Sequence, residues 1–222
     1  MPTALIIGAS RGIGLELVRQ YRAAGWRVIA TARQEADCET LGALGAEPHR
    51  LDVNDVDAVA GMGWKLDDEQ LDVAILNAGV YGPRHDGFPV QADFDNVMHT
   101  NVLAAMRLLP MLAPLVASRR GKLAVLSSRM GSLSERHSAV GSLYRASKAA
   151  LNSVLIDTAL TFGGHGVTCV AFHPGWVRTD MGGATADITP EESAAGIRDT
   201  LATLPASDKA TYITYDGKAI GW

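Results

Sequence analysis

Tyr144 and Lys148 lie four residues apart in Tyr-Arg-Ala-Ser-Lys, a stretch that reads as the start of a helix. That spacing stacks both side chains on one helical face. An ammonium beside a phenol favours the phenolate and draws the tyrosine below its ordinary pKa of about 10. Such a tyrosine exchanges a proton with a carbonyl or alcohol oxygen near neutral pH. Upstream, Ser127-Ser128 closes an apolar run, and a hydroxyl at a strand end can bond the same oxygen. Ser127 and Ser128 are both candidates on position alone. At the other end of the chain, a short apolar run enters Gly8-Ala-Ser-Arg-Gly12-Ile-Gly14. A glycine-rich turn that opens a helix lets the backbone approach a pyrophosphate and offers it free N–H groups and a positive dipole end.

The elements that must hold these residues alternate along the chain. Strands are expected at Ala4–Ile7, Arg27–Thr31, Glu47–Leu51, Val73–Asn77, Lys122–Ser127, Val167–Phe172 and Thr211–Thr214. Helices are expected at Gly12–Ala24, Glu35–Leu44, Val53–Lys65, Phe94–Ser118, Tyr144–Phe162 and Pro190–Leu204. Continuously apolar runs such as Ala-Leu-Ile-Ile read as buried parallel strands. Alternation with helices predicts right-handed crossovers and an α/β fold: one Rossmann-type, doubly wound parallel sheet of about seven strands, helices on both faces, one domain over residues 1–222. Gly25 and Gly121 are expected to close helices, Gly121 after Arg119 and Arg120. Pro190 followed by two acids should open the last helix. Pro110 and Pro114 should kink or break the long one.

The strand Arg27–Thr31 bears on cofactor choice. An acid at its end would bond ribose hydroxyls and repel a 2′-phosphate. The sequence instead runs Ala-Thr-Ala-Arg33, and Arg11 sits in the glycine turn. Two guanidinium groups suit a phosphate.

The Gly8/Gly12/Gly14 spacing, the Tyr144/Lys148 pair, Leu76-Asn77-Ala78-Gly79 and Pro174-Gly-Trp-Val-Arg-Thr179 together resemble the short-chain dehydrogenase/reductase family across nearly the whole chain. Within it, Ser-Ser-Arg-Met-Gly-Ser, Tyr-Arg-Ala-Ser-Lys-Ala-Ala-Leu-Asn and Tyr-Asp-Gly-Lys…Trp222 are similar to the C-factor and sniffer-like carbonyl reductases. The resemblance implies hydride transfer between a nicotinamide cofactor and a carbonyl or alcohol carbon, with NADP(H) preferred because of the arginines. It implies catalytic roles for Asn101, Ser128, Tyr144 and Lys148, with Ser128 bonding the substrate oxygen and Asn101 holding a water that links the lysine to solvent. It assigns cofactor contacts to Gly8, Ser10, Arg11, Gly12, Ile13 and Gly14; to Arg33, Asp52 and Val53; to Asn77, Ala78 and Gly79; and to Pro174, Gly175, Val177 and Thr179, besides Tyr144 and Lys148. Leu76 stands where the family has a first asparagine. The Ser128–Tyr144 interval is a few residues longer than usual, with the excess in Glu135–Ser142. A homodimer or homotetramer is the implied assembly, with Trp222 packing on a sheet edge or an interface. The alternative is an NADP-binding signalling or redox-sensing protein with weak or no catalysis.

Composition excludes other classes. The 222 residues are 47% hydrophobic, and the net charge of −4 comes with acids and bases interspersed. No basic stripe points to nucleic acid and no polybasic amphipathic helix to a membrane surface. No apolar run reaches the roughly 20 residues of a membrane span, and no signal peptide is visible, so the cytoplasm is the expected compartment. The histidines at 49, 85, 99, 137, 165 and 173 have no metal-ligand spacing, and no metal is expected. Cys169 reads as core and Cys38 as a thiol that could face solvent. His99 and His173 are expected in satisfied structural roles. Met181–Thr189 is a short lid of small residues over an open pocket or small substrate.

Overall fold

Seven parallel strands form one sheet in the order β3-β2-β1-β4-β5-β6-β7. They are β1 (Thr3–Ile7), β2 (Arg27–Ala32), β3 (Glu47–Arg50), β4 (Val73–Leu76), β5 (Lys122–Leu126), β6 (Thr168–His173) and β7 (Thr211–Thr214). The computed structural model describes residues 1–83 and 89–222. His85 therefore lies outside the described residues. The helices are α1 (Gly12–Ala23), α2 (Glu35–Ala43), α3 (Val56–Leu66), α4 (Gln91–Met98), α5 (Ala104–Ala117), α6 (Ser142–Phe162) and α7 (Pro190–Thr203). Strand order reverses between β1 and β4. Chains leaving these two strands turn to opposite sides and open a crevice at their C-terminal ends, the position where such sheets bind ligands.

The period-two alternation of a strand divides the core into two layers. Leu5, Ile7, Leu76, Leu123 and Val125 meet Leu108 and Leu112 of α5 and Leu151 and Leu155 of α6. Ala4, Ile6, Ile75, Ala124 and Leu126 meet Leu17, Val18 and Tyr21 of α1 and Ile197 and Leu201 of α7. Because both faces are covered, β1 is buried along its whole length and reads as an unbroken apolar run.

Several boundaries correct the sequence reading. Pro110 and Pro114 both lie inside an unbroken α5, on its exposed side, where water can satisfy the carbonyls that they leave unpaired. The irregularity in the long helix falls earlier, in a π-helical turn at His99–Leu103. After α5 the left-handed residue is Arg120 (φ 50°), not Gly121. Gly121 is needed for space: a Cβ there would lie 2.6 Å from the carbonyl oxygens of Leu71 and Asp72. α7 begins as expected, and Thr189 adds a capping box. Its hydroxyl accepts from Glu192 N at 3.2 Å, while the Glu192 carboxylate accepts from Thr189 N at 2.7 Å. Cys38 is buried, with its thiol directed to the Ala32 carbonyl at 3.9 Å.

The continuous helix Gln91–Ala117 is long and apolar enough to cross a membrane, by length and composition. Half of its most apolar window is buried within the protein, where α5 contributes Leu108, Leu109, Leu112 and Val116 to the core.

Candidate active site

The glycine turn is held to its neighbours before any ligand is considered. Gly8 N donates to Thr31 Oγ1 at 3.0 Å, and Ala9 N donates to the Thr31 carbonyl at 2.7 Å. Gly8 has φ +86°, and a Cβ there would lie 2.9 Å from the backbone of Ala78. A side chain at Gly14 would collide with the Gly8 carbonyl and the Asn77 carboxamide, which itself donates to that carbonyl. Asn77 N and Ala78 N both donate to the Ile7 carbonyl at 3.0 Å. The sequence at the β1 and β4 ends thus makes one joined rim. No side chain caps the first turn of α1, so its leading N–H groups are free to meet an anion. That uncapped, glycine-lined turn fits the pyrophosphate of a dinucleotide. Ser10 and Ile13 are half-buried beside it.

The residues expected to handle the proton lie along the crevice. Ser128 is extended (φ −162°, ψ 144°), and its hydroxyl accepts from Met130 N at 3.2 Å. The same side chain lies near enough to the Tyr144 phenol to draw its pKa down against the effect of burial. Ser127 turns the other way and donates to Asn152 Oδ1 at 2.6 Å. Of the two serines, Ser128 is the one that influences the Tyr144 phenol, while Ser127 is engaged with Asn152. Lys148 Nζ lies 5.6 Å from the Tyr144 ring centre and donates to the Leu126 carbonyl at 2.7 Å.

The expected depression of the Tyr144 pKa is absent from this arrangement. Burial raises it well above the ordinary phenol value, and the Ser128 hydroxyl pulls it only partly back. Burial also lowers the Lys148 ammonium to about 8. Desolvation of both groups outweighs the attraction that their spacing suggests.

Asn101 sits in the π-helical turn and is buried. Its Oδ1 accepts from Val80 N at 2.8 Å, and its Nδ2 donates to the Val80 carbonyl at 2.8 Å and to Ser147 Oγ at 2.9 Å. Ser147 Oγ donates in turn to the Tyr144 carbonyl at 2.8 Å. The side chain thus ties the loop after β4 to α6. The extra residue of a π turn re-aims one side chain out of helical register, a common device at functional sites.

The structure does not bring the two expected phosphate arginines together. Arg11 pairs with Asp180 at 2.6 Å, on the segment after β6. Arg33 is exposed at the end of β2, and its carbonyl accepts from Arg50 Nε at 3.2 Å. Arg50 was missed in the sequence. The β2/β3 register pairs it with Ala32, beside Arg33, and its place at a strand end was the available signal. Asp52 is exposed and caps Asn54 N at 3.0 Å, while Val53 is buried. Gly79 lies at the Asn101/Lys148 junction, where an added Cβ would come within 3.3 Å of both side chains.

After β6, the Pro174 carbonyl accepts from Ser193 Oγ at 2.6 Å, and Gly175 takes φ +89°. Val177 pairs with Ile188. The Thr179 hydroxyl accepts from Gly182 N at 3.1 Å, and Trp176 Nε1 donates to the Gly182 carbonyl at 2.9 Å. The short lid is therefore stitched down at its base. His173 departs from expectation: its Nδ1 is buried without a hydrogen-bond partner, and burial lowers its pKa to about 4. Tyr81, also unanticipated, stacks on Tyr144. No group of three or more potential metal ligands occurs among the described residues.

The family described as short chain dehydrogenase matches residues 2–189. The chain belongs to the short-chain dehydrogenase family. Among curated relatives, the 1-hydroxy-2-glutathionyl-2-methyl-3-butene dehydrogenase of Rhodococcus sp. is 29% identical over 231 aligned positions that cover 100% of both chains. The C-signal protein of Myxococcus xanthus is 33% identical over 156 residues, covering 68% of this chain and 93% of that one. Among solved structures, a carbonyl reductase from Pseudomonas aeruginosa in complex with NADP is 34% identical, with a TM-score of 0.86 and full coverage of both chains. The carbonyl reductase Sniffer of D. melanogaster is 25% identical, with a TM-score of 0.90 and full coverage of both. These likenesses place the chain among the short-chain dehydrogenase oxidoreductases, with carbonyl reductases among the structures it resembles.

Proposed function

We propose that the protein is an NADP(H)-dependent reductase of a small carbonyl compound, with Tyr144 as its general acid. The observation that carries this reading is the seating of Lys148 Nζ 5.6 Å from the Tyr144 ring and on the Leu126 carbonyl, two residues before Ser128, beside the Gly79 rim that joins the uncapped glycine turn. The NADP complex of the Pseudomonas relative supports the cofactor choice.

In this reading the Gly8–Gly14 turn and the first turn of α1 hold the pyrophosphate, Arg33 and Arg50 the 2′-phosphate, and Asp52 and Val53 flank the adenine. Asn77, Ala78, Gly79, Pro174, Gly175, Val177 and Thr179 border the nicotinamide end. When bound, the nicotinamide supplies hydride to the carbonyl carbon. Ser128 and Tyr144 bind the carbonyl oxygen and hold it in line for attack. As the carbon–oxygen double bond becomes a single bond, Tyr144 gives its phenolic proton to that oxygen. The raised pKa keeps Tyr144 protonated in the resting site, as an acid must be. Lys148, brought within reach of the ribose hydroxyls, stabilises the phenolate that remains. Asn101 fixes the Val80 backbone against Ser147, so the loop and helix that flank Lys148 keep their spacing while the proton is replaced.

The test is NADPH oxidation against ketones, aldehydes, quinones and dicarbonyls, with Tyr144→Phe as control. The variant should bind NADPH as the native protein does and lose about 10²–10⁴-fold in kcat, the range of general acid catalysis. Near-native turnover by Tyr144→Phe rejects the assignment. Tight NADPH binding with no turnover of any carbonyl points instead to a sensing role.

A further inference from the structure

Ser128 is held from a part of the chain that has no place in the chemistry so far described. Tyr212 on β7 is buried, and its hydroxyl donates to the Ser128 carbonyl oxygen. That carbonyl also accepts from Gly131 N at 2.7 Å, closing the helical turn Arg129–Gly131. The Tyr212 ring is itself covered by Trp222, stacked at 5.1 Å between ring centres and 29° between planes. The sequence expectation of a sheet-edge anchor for Trp222 is thus met on a specific residue.

The chain around Trp222 is clasped at both ends. Behind it, Thr214 N donates to the Lys218 carbonyl and Ile220 N to the Tyr212 carbonyl, both at 2.8 Å, so residues 218–220 fold back along β7. Ahead of it, Gly221 and Trp222 grip the segment leaving Ser128. Ser134 N donates to the Trp222 carbonyl at 3.0 Å, and Ser132 Oγ donates to the Gly221 carbonyl at 2.5 Å. Gly221 N donates to Glu135 Oε1 at 2.9 Å. On the other side, the Ser127–Asn152 bond ties the preceding residue to α6, the helix that carries Tyr144 and Lys148.

Ser128 is therefore fixed at three points: its neighbour to α6, its carbonyl to Tyr212, and its outgoing turn to residues 221–222. We propose that Tyr212 is a positioning residue for Ser128, with Trp222 bracing Tyr212, so that the Ser128 hydroxyl is held at the angle Tyr144 requires. A serine hydroxyl goes where its own backbone dihedrals send it, and the Ser128 carbonyl reports the rotation of that backbone. Losing the Tyr212 donor leaves the carbonyl on the Gly131 bond alone and lets the peptide plane rotate. Misplacement of a contact group by a fraction of its hydrogen-bond length lowers turnover while leaving cofactor binding intact. This inference rests on the reductase reading above.

The test combines kinetics with hydrogen exchange on the full chain. Tyr212→Phe keeps the ring and removes only the donor. It should lower kcat about tenfold, equivalent to ~1.4 kcal/mol, with an unchanged NADPH dissociation constant. In a Ser128→Ala background the same change should cost nothing further, because Tyr212 acts through Ser128. Trp222→Ala should follow Tyr212→Phe, and Trp222→Phe should restore turnover. Native kcat in Tyr212→Phe, or an equal loss in both backgrounds, overturns the proposal. Absence of turnover in the native protein would reject the reductase reading instead. The positioning claim then stands or falls on the Gly131 and Ser134 amides, which should exchange faster in Tyr212→Phe and Trp222→Ala. Unchanged exchange overturns it.

Discussion

The Tyr81 ring stacks on the Tyr144 ring, with centres 4.6 Å apart and planes 27° apart. Tyr81 follows the Asn77-Ala78-Gly79 rim, so the loop that borders the cofactor end also covers the proposed acid. Gly141, at the start of α6, fits this lid closely: a Cβ there would lie 2.6 Å from the Tyr81 hydroxyl and 2.9 Å from Met130 Cε. The long interval between Ser128 and Tyr144 thus ends by closing on Tyr81.

This stack contributes to the burial that raises the Tyr144 pKa. Removing it admits water and stabilises the phenolate. Tyr81→Ala should therefore move the alkaline limb of kcat/KM for carbonyl reduction to lower pH, since Tyr144 must be protonated to act. Tyr81→Phe keeps the ring but removes the phenol whose charge also raises the Tyr144 pKa, so it should move the limb the same way by less. A pH–rate profile of the three proteins decides it, and identical alkaline limbs in native and Tyr81→Ala would count against the coupling.

Lys148 gives a second pH prediction, with stability and activity running in opposite directions. Its folded pKa is about 8, below the ordinary value of 10.5. Below pH 8 the fold carries a buried ammonium that the unfolded chain would solvate. Between 8 and 10.5 the unfolded chain holds more protons, so stability from this group rises with pH across that window. Lys148→Met removes the cost. The variant should be more stable than native protein at pH 7 by roughly 1–3 kcal/mol, with the gain shrinking as pH rises towards 10.5, and should lose turnover. Denaturant unfolding at pH 7 and pH 9.5 measures the difference. A variant less stable at pH 7 would show that the Leu126 hydrogen bond outweighs the burial.

What the sequence made legible follows from where each signal is local. β1, β4 and β5 are buried on both faces, so their runs declare themselves. The glycine turn and the Tyr144/Lys148 pair are short-range patterns, and the structure seats them on one crevice. The π-helical turn left no such trace, because it depends on Asn101 reaching Val80, 21 residues away. Pro110 and Pro114 did not break α5, because solvent on that side of the helix satisfies what the rings remove. The pairing of Tyr212 with Ser128 spans 84 residues. The sequence spacing of Tyr144 and Lys148 predicted attraction but carried no information about burial, which decides both pKa values.

The assembly is open to a direct test. Half of the most apolar window of the Gln91–Ala117 helix is buried, and Met106 on α5 and Leu160 on α6 are 53% and 79% exposed. The homo-oligomer that the family resemblance implies would cover them with a second copy of the chain. Leu160→Glu should place a charge in that contact and shift sedimentation towards the monomer without altering the monomer's fold. A native protein that sediments as a monomer at micromolar concentration would dismiss the contact.

Cofactor choice should follow Arg33 and Arg50 rather than Arg11. The β2/β3 register and the bond from Arg50 Nε to the Arg33 carbonyl set the Arg50 guanidinium at the end of β2, where Arg33 is exposed and where a 2′-phosphate would meet this type of sheet. Arg11 is already paired with Asp180 beside the lid. Charge-assisted bonds to phosphate are worth roughly 1.5–3 kcal/mol each. Arg33→Ala and Arg50→Ala should each raise KM for NADPH by about ten- to a hundredfold and leave KM for NADH unchanged, because NADH has no 2′-phosphate to lose. Arg11→Ala should affect both cofactors alike. If Arg11→Ala alone removed the preference for NADPH, the phosphate would sit in the glycine turn, and the exposed ends of β2 and β3 would have no part in holding it.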